Sequence, residues 1–264
     1  MDIVFEGEQI ILVEVVNKRA DLRRNLVILG NGFTIGDPGF HLPSARNFAR
    51  FGNVLAMFFK PNCVGLEAAE KELAKFINKE SQKYTRVALY GHSKCGVMFY
   101  NMLPRIKNPV TVITVSAPFA GYFWADVQKV RKRLWEKKSL LGKIFTGWQY
   151  FLYNKMFPNR AVDCDLIPGS DYLKKERPEL TISHKIANVV SCCYSPAREL
   201  RRCSLFRFIY AKMNILAKYG VEHGDGVVSI SSQQARSIKV NFFVHGTHPE
   251  SFDKARVILN SYLG

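Results

Sequence analysis

The clearest chemical signal in the sequence is a serine, Ser93, within the segment GHSKCG at 91–96. An apolar run at 86–90 precedes this segment, and a stretch with helical character at 97–103 follows it. A serine in a sharp turn between a strand and a helix exposes its hydroxyl, and small neighbouring residues let the helix pack close to the turn. This context predicts Ser93 as a nucleophile.

A serine hydroxyl needs an imidazole to accept its proton and a carboxylate to orient that imidazole. Two histidines, His245 and His248, follow the last predicted strand, and the residues alone leave either as the base. Asp225 lies in a Gly-Asp-Gly loop before an apolar run, although such a sequence is also a common turn. The other candidate acids are Asp163 and Asp165.

Alternating strands and helices must position these side chains. Apolar runs predict strands at 10–16, 26–29, 54–59, 86–90, 110–115, 186–192 and 240–244, and helices at 66–80, 97–103 and 249–263. Apolar strands separated by helices imply a mostly parallel sheet covered on both faces. We therefore expect one doubly wound α/β domain over 1–264, with functional residues on loops at the carboxyl ends of the strands.

The GHSKCG segment resembles the nucleophile turn of the lipase and esterase branch of the α/β-hydrolases, Gly-His-Ser-x-Gly-Gly, with Cys95 in place of a glycine. Four more segments are similar to family landmarks and occur in the family's order. They are GNGF at 30–33, SAPFAG at 116–121, DLIPGSDYL at 165–173 and GDGVV at 224–228. The resemblance spans nearly the whole chain and implies the α/β-hydrolase fold and a serine hydrolase.

The resemblance also implies roles for site residues. In this fold the chain order is serine, acid, histidine, which favours Asp225 as the acid. The family places its histidine directly before the final helix, which favours His248 over His245 as the base. The backbone N–H of Lys94, beside the nucleophile, can bind the oxyanion of an acyl-transfer intermediate. The resemblance adds the N–H of Phe33 as the second donor. Neither a metal nor an organic cofactor is expected.

The connection between the strands at 110–115 and 186–192 contains about seventy residues, far more than a simple link needs. We expect a helical cap inserted at 120–180. Apolar residues at helical spacing within 122–157 predict two amphipathic helices, flanked by basic and aromatic side chains. These helices can pack on the core, and they can also form a lid that contacts an anionic membrane surface.

The charge balance, 38 Lys and Arg against 22 Asp and Glu, gives a net charge of +16, which favours polyanionic partners. Nucleic acid is the weakest of these partners because charge is its sole support and no recognition module is present. The sequence lacks a signal-like first segment and a membrane-spanning apolar run. The location expected from this is cytoplasmic, with peripheral contact to a membrane.

Taken together, these features predict a serine esterase that acts on a carboxylic ester with a lipid or other apolar acyl group. The partner is then a small-molecule or lipid ester. An acyltransferase or a thioesterase with the same residues is the alternative. A catalytically inactive hydrolase fold that binds partners through its basic surface is another alternative, and the sequence leaves the oligomeric state open.

Overall fold

The residues that the structure describes form an 8-stranded sheet with strand order β1-β2-β4-β3-β5-β6-β7-β8. The computed structural model describes residues 2–15, 25–32, 42–121, 164–174, 182–192, 224–225, 228–234, 241–246 and 248–263. Its strands are β1 (Ile3–Glu6), β2 (Ile10–Val15), β3 (Asn25–Asn31), β4 (Asn53–Phe59), β5 (Arg86–His92), β6 (Thr111–Val115), β7 (Lys185–Cys192) and β8 (Asn241–His245). Along this order, all neighbouring strands from β4 to β8 are parallel. Strand β2 is antiparallel to β4, and β1 is antiparallel to β2.

Helices cover both faces of this sheet. They are α1 (Leu42–Arg46), α2 (Leu66–Glu80), α3 (Lys94–Asn101), α4 (Asp171–Lys174), α5 (Ile230–Gln233), α6 (His248–Lys254) and α7 (Asn260–Leu263). Single 3-10 turns lie at Ala49–Phe51, Ser81–Lys83 and Leu103–Arg105, and a longer 3-10 segment at Ala255–Leu259.

The alternation of side chains along each strand divides the core into two layers. In β5, Leu89 faces the layer that contains the apolar side chains of α2 and α3, and Tyr90 faces the layer that contains Phe252 of α6. Both strand residues have no exposed surface. Burial on both faces explains why these strands are apolar throughout, and the predicted doubly wound, mostly parallel sheet is confirmed.

Three local predictions need correction. Strand β1 is absent from the prediction because it is a short edge strand with half-exposed apolar residues, such as Ile3 with 58% exposure. Helix α3 begins at Lys94 rather than at 97, since a glycine in its first turn weakens the helical pattern. The single helix predicted at 249–263 is divided into α6, the 3-10 segment and α7.

Most of the predicted cap at 120–180, including its two amphipathic helices, lies outside the described residues. The described part consists of residues 120–121 and 164–174, which include α4. Within the described ranges, no helix has both the length and the apolar character that crossing a bilayer requires.

Candidate active site

The carboxyl ends of the central strands meet at one edge of the sheet. The register of the parallel pairs places Asn31 of β3 level with His92 of β5, His92 level with Val115 of β6, and Val115 level with Val189 of β7. The loops that follow these strands therefore converge, as they do in other open α/β sheets. Ser93 follows the central strand of this group.

Ser93 occupies a strained turn between β5 and α3. Its φ of 55° and ψ of −127° lie outside the regions that non-glycine residues normally adopt. The Ser93 N–H donates to Val115 O at 2.8 Å, which helps to fix this conformation against β6. The turn places the Ser93 side chain at the start of α3.

Close packing of α3 against β5 requires the glycines of this segment. A Cβ atom at Gly91 would lie 2.6 Å from Cys95 O, and one at Gly96 would lie 2.8 Å from Gly91 O. Cys95 replaces a glycine of the family pattern, and its side chain is accommodated because residue 30 on β3 is a glycine. A Cβ at Gly30 would lie 2.7 Å from the Cβ of Cys95.

The thiol of Cys95, two residues from Ser93, is fully buried. Burial raises the pKa of this thiol to about 12, so it stays protonated at neutral pH. A thiolate, rather than a thiol, is the nucleophilic form of cysteine. Cys95 is therefore not a candidate nucleophile.

Gly32 and Lys94 flank the Ser93 hydroxyl. A Cβ atom at Gly32 would lie 2.9 Å from Ser93 Oγ and 2.9 Å from Lys94 N, so the glycine leaves this space open. The Gly32 N–H donates to His92 O at 3.1 Å and holds the end of β3 against the turn. Lys94 is the first residue of α3, and its backbone N borders this space. Phe33, the predicted second donor, lies outside the described residues.

The structure brings Asp225 and His248 together in a buried pair. Both side chains have no exposed surface, and His248 Nδ1 lies 2.6 Å from Asp225 Oδ2. A carboxylate can only accept hydrogen bonds, so Nδ1 is the donor of this bond. The His248 N–H also donates to Asp225 O at 3.0 Å. The loop of the acid thus holds both the backbone and the ring of His248.

Two further donors hold the Asp225 carboxylate. The Val228 N–H donates to Oδ1 at 2.9 Å, and the Ser191 hydroxyl of β7 lies 2.9 Å from Oδ2. A buried charge requires such hydrogen bonds because it has lost contact with water. These donors fix both oxygens of the carboxylate, and Oδ2 faces His248 Nδ1.

His92 connects this pair to the serine turn. His92 Nε2 lies 2.8 Å from His248 O, and its Nδ1 lies 3.1 Å from the side-chain oxygen of Asn31. The rings of His92 and His248 have centroids 4.5 Å apart. Because His92 directly precedes Ser93 in the chain, the imidazole of His248 lies beside the turn that presents Ser93.

The remaining predicted candidates lie elsewhere or outside the described residues. His245 is an exposed residue at the end of β8, and its carbonyl accepts from Lys254 Nζ at 3.0 Å. Asp165 Oδ2 accepts from the Leu66 N–H at 2.7 Å, at the first turn of α2. Asp163 falls outside the described residues. His248 and Asp225 are therefore the histidine and the acid that the described structure pairs.

Sequence reasoning missed four buried polar residues around Asp225. They are Ser116, Ser191, Gln233 and Ser251. Ser116 belongs to a segment that was singled out for its resemblance, but Ser191 lies within an apolar strand where a serine draws no attention. The contacts that join them to one another and to Asp225 link residues separated by 34 to 135 positions, so no local pattern reveals them. Among the described residues, no group of three or more His, Cys, Asp or Glu side chains could hold a metal ion.

Comparison with solved structures identifies the fold as that of the α/β-hydrolases. The mature lipase BlEst2 of Bacillus licheniformis superposes with a TM-score of 0.59 at 14% identity, over 96% of each chain. The type II thioesterase YbtT of the yersiniabactin pathway gives 0.55 at 11% identity, over 96% of each chain. BorB, a type II thioesterase from the borrelidin biosynthetic cluster, gives 0.52 at 13% identity, over 96% of this chain and 95% of its own. No protein-family model matches the chain, and a sequence search of curated proteins gives no match.

Proposed function

We propose that this protein is a serine hydrolase that cleaves esters or thioesters through an acyl-enzyme intermediate. Ser93 is the nucleophile, His248 the general base and acid, and Asp225 the residue that orients His248. The backbone N–H of Lys94 and that of Phe33 are the proposed oxyanion donors. The single observation that carries this proposal is the buried Asp225–His248 pair beside a serine with a φ of 55°.

In the acylation half, His248 Nε2 accepts the Ser93 proton while Oγ forms a bond to the acyl carbon. The carbonyl oxygen becomes an oxyanion, and the N–H donors stabilise it. Asp225 stabilises the imidazolium that forms. The proton on Nε2 then passes to the leaving oxygen or sulfur as its bond to the acyl carbon breaks. In the deacylation half, water gives its proton to Nε2, attacks the same carbon and releases the acid, and Ser93 regains its proton.

The structural neighbours support two classes of acyl donor. One neighbour is named a lipase and two are named type II thioesterases, and a serine, histidine and aspartate can act on oxygen esters and thioesters alike. We propose an apolar acyl group, as the resemblance to lipases and esterases implies. Contact with an anionic membrane through the cap stays a prediction, since the basic residues concerned lie outside the described ranges.

Active-site labelling tests the proposal. A fluorophosphonate probe is expected to label the wild type, and Ser93→Ala is expected to abolish labelling and turnover of p-nitrophenyl butyrate. Ser81→Ala is a matched control, because Ser81 is also buried but its hydroxyl accepts a hydrogen bond from Asn108 Nδ2, in a 3-10 turn that precedes β5, whereas Ser93 follows that strand. Labelling of Ser93→Ala at the wild-type rate would contradict the assignment. Acyl thioesters assayed beside oxygen esters of the same chain length identify the preferred class.

A further inference from the structure

Three buried serines form a continuous row between the two partners of the acid–base pair. Ser191 of β7, Ser116 after β6 and Ser251 of α6 have no exposed surface. Ser191 Oγ lies 2.9 Å from Asp225 Oδ2 and 2.5 Å from Ser116 Oγ. Ser116 Oγ lies 2.7 Å from Ser251 Oγ, which lies 2.7 Å from the backbone carbonyl oxygen of His248. Three elements distant in sequence thus supply one hydrogen-bonded row.

The row has one proton fewer than it has contacts. Each serine hydroxyl carries a single proton, so three serines supply three protons for the four contacts. Both ends of the row, a carboxylate oxygen and a carbonyl oxygen, can only accept. One of the four contacts therefore lacks a proton at any moment, and its position sets the direction in which the hydroxyls point.

The missing proton falls between Ser116 and Ser251. A hydrogen bond to a carboxylate is about twice as strong as one between neutral groups, so Ser191 keeps its proton directed at Asp225. At the other end, Ser251 donates to the His248 carbonyl oxygen at 2.7 Å, because a carbonyl can only accept. Ser116 can therefore fill only one of its two contacts, and its proton is directed at Ser191, whose Oγ lies at 2.5 Å, rather than at Ser251, whose Oγ lies at 2.7 Å.

Gln233 of α5 fixes the donor end of the row. Its side-chain oxygen accepts from the Ser191 N–H at 2.8 Å, and its Nε2 lies 3.0 Å from Ser191 O and 3.0 Å from Val228 O. Val228 supplies the N–H that binds Asp225 Oδ1. The buried side-chain amide of Gln233 therefore contacts both residues that donate to the Asp225 carboxylate, Ser191 and Val228. The backbone of Ser116 is unusual as well, because its φ of 51° lies in the left-handed region that non-glycine residues rarely adopt.

We propose that Ser191 is a positioning residue that holds the Asp225 carboxylate toward His248 Nδ1, and that Ser116 orients the Ser191 hydroxyl for this task. The inference rests on the proposed function, since its purpose is to support the imidazolium formed when Ser93 reacts. Neither serine contacts the reacting atoms. Their action is carried by Asp225, and their effect is expected in turnover rather than in substrate binding.

The test compares four variants with the wild type. Ser191→Ala is expected to lower kcat about tenfold at unchanged KM, because it removes a hydrogen bond to a charged group. Ser116→Ala is expected to lower kcat only about two- to threefold, since the Asp225–Ser191 bond persists without its cooperative support. Ser191→Cys, which keeps a weak donor of similar size, is expected to lie between Ser191→Ala and the wild type. Thr114→Val is the matched control, because it removes a buried hydroxyl of β6 that donates to Asn188 instead of the row.

A second readout separates this inference from the proposed function. The downfield proton resonance of His248 Nδ1–H, identified by its loss in His248→Gln, reports the Asp225–His248 bond even when no substrate turns over. A shifted resonance in Ser191→Ala and an unshifted one in Thr114→Val support the positioning role, whether or not the protein hydrolyses esters. An unshifted resonance in Ser191→Ala, or equal losses in Ser191→Ala and Thr114→Val, would overturn it. A greater loss in Ser116→Ala than in Ser191→Ala would refute the direction of the row.

Discussion

Replacement of Asp225 with asparagine changes the hydrogen bonds of the acid in a way that the structure makes definite. The carboxylate accepts from Val228 N–H at Oδ1 and from Ser191 and His248 at Oδ2. If the amide directed its NH2 group at the Val228 N–H, two hydrogen-bond donors would face each other, and a backbone N–H can only donate. The NH2 group must therefore take the place of Oδ2 and face His248 Nδ1.

This orientation forces the wrong tautomer on His248. Nδ1 becomes the acceptor, the ring proton moves to Nε2, and Nε2 can no longer accept the proton of Ser93. The corresponding change in a serine protease triad lowers kcat roughly 10⁴-fold. A loss of this size equals about 5.4 kcal/mol in activation free energy. We expect Asp225→Asn to lower kcat for p-nitrophenyl butyrate, and the rate of fluorophosphonate labelling, by this factor.

Stability should change far less than activity, because Ser191 can rotate its hydroxyl and the Val228 bond is kept. A loss of about 1–2 kcal/mol in the free energy of unfolding is expected from denaturant titration. Asp165→Asn is the matched control, since Asp165 binds the start of α2 and is expected to leave kcat unchanged. A folded Asp225→Asn with more than a tenth of the wild-type kcat would refute the tautomer argument.

Three further predictions follow from single contacts. Gly32→Ala places a methyl group 2.9 Å from both Ser93 Oγ and Lys94 N. Steady-state assays should show a fall in kcat of roughly 10²-fold, the loss that removal of an oxyanion donor causes. An unchanged kcat would mean that this space is not the oxyanion site. Burial raises the pKa of the Asp165 carboxyl, so the stability that it contributes is present below its ordinary value of 3.8 and is lost as pH rises through the raised value. Asp165→Asn should accordingly unfold at higher denaturant concentration than the wild type at pH 7 but not at pH 3, and equal midpoints at pH 7 would count against a buried charge. Iodoacetamide should leave Cys95 unmodified at pH 8 in the folded protein, as peptide mapping can verify, because its thiol has a pKa of about 12.

The fold was predictable because its signals are local. Residues 86–96 contain a strand, a turn and the start of a helix in one short segment, so the setting of Ser93 could be inferred without any tertiary information. The predicted helix at 66–80 coincides with α2, whose apolar residues recur at helical spacing. The edge strand β1 escaped prediction because partial exposure removes the apolar pattern on which such inference depends.

The candidate site was predictable only as far as its residues lie in loops of distinctive sequence. Asp225 and His248 stand out because glycine or proline neighbours mark the ends of elements, and the choice against His245 depended on resemblance. The contacts of Ser191 with Asp225 and Ser116 arise when β6 and β7 pair with Thr114 opposite Asn188, a register that no local pattern specifies. The role of Phe33 and the cap at 120–180 stay sequence predictions, because Phe33 and most of the cap lie outside the described residues.

The contact between Gly30 and Cys95 has an evolutionary consequence for the whole segment. One pocket between β3 and α3 accepts a single side chain, and here the helix supplies it while the strand contributes a bare backbone. A substitution at position 30 or 95 is therefore tolerated only if the residue at the other position leaves room for it. The side chain could move from position 95 to position 30 in evolution only through a sequence with glycine at both positions, so the two positions are expected to covary. A double-mutant cycle across them is expected to deviate strongly from additivity.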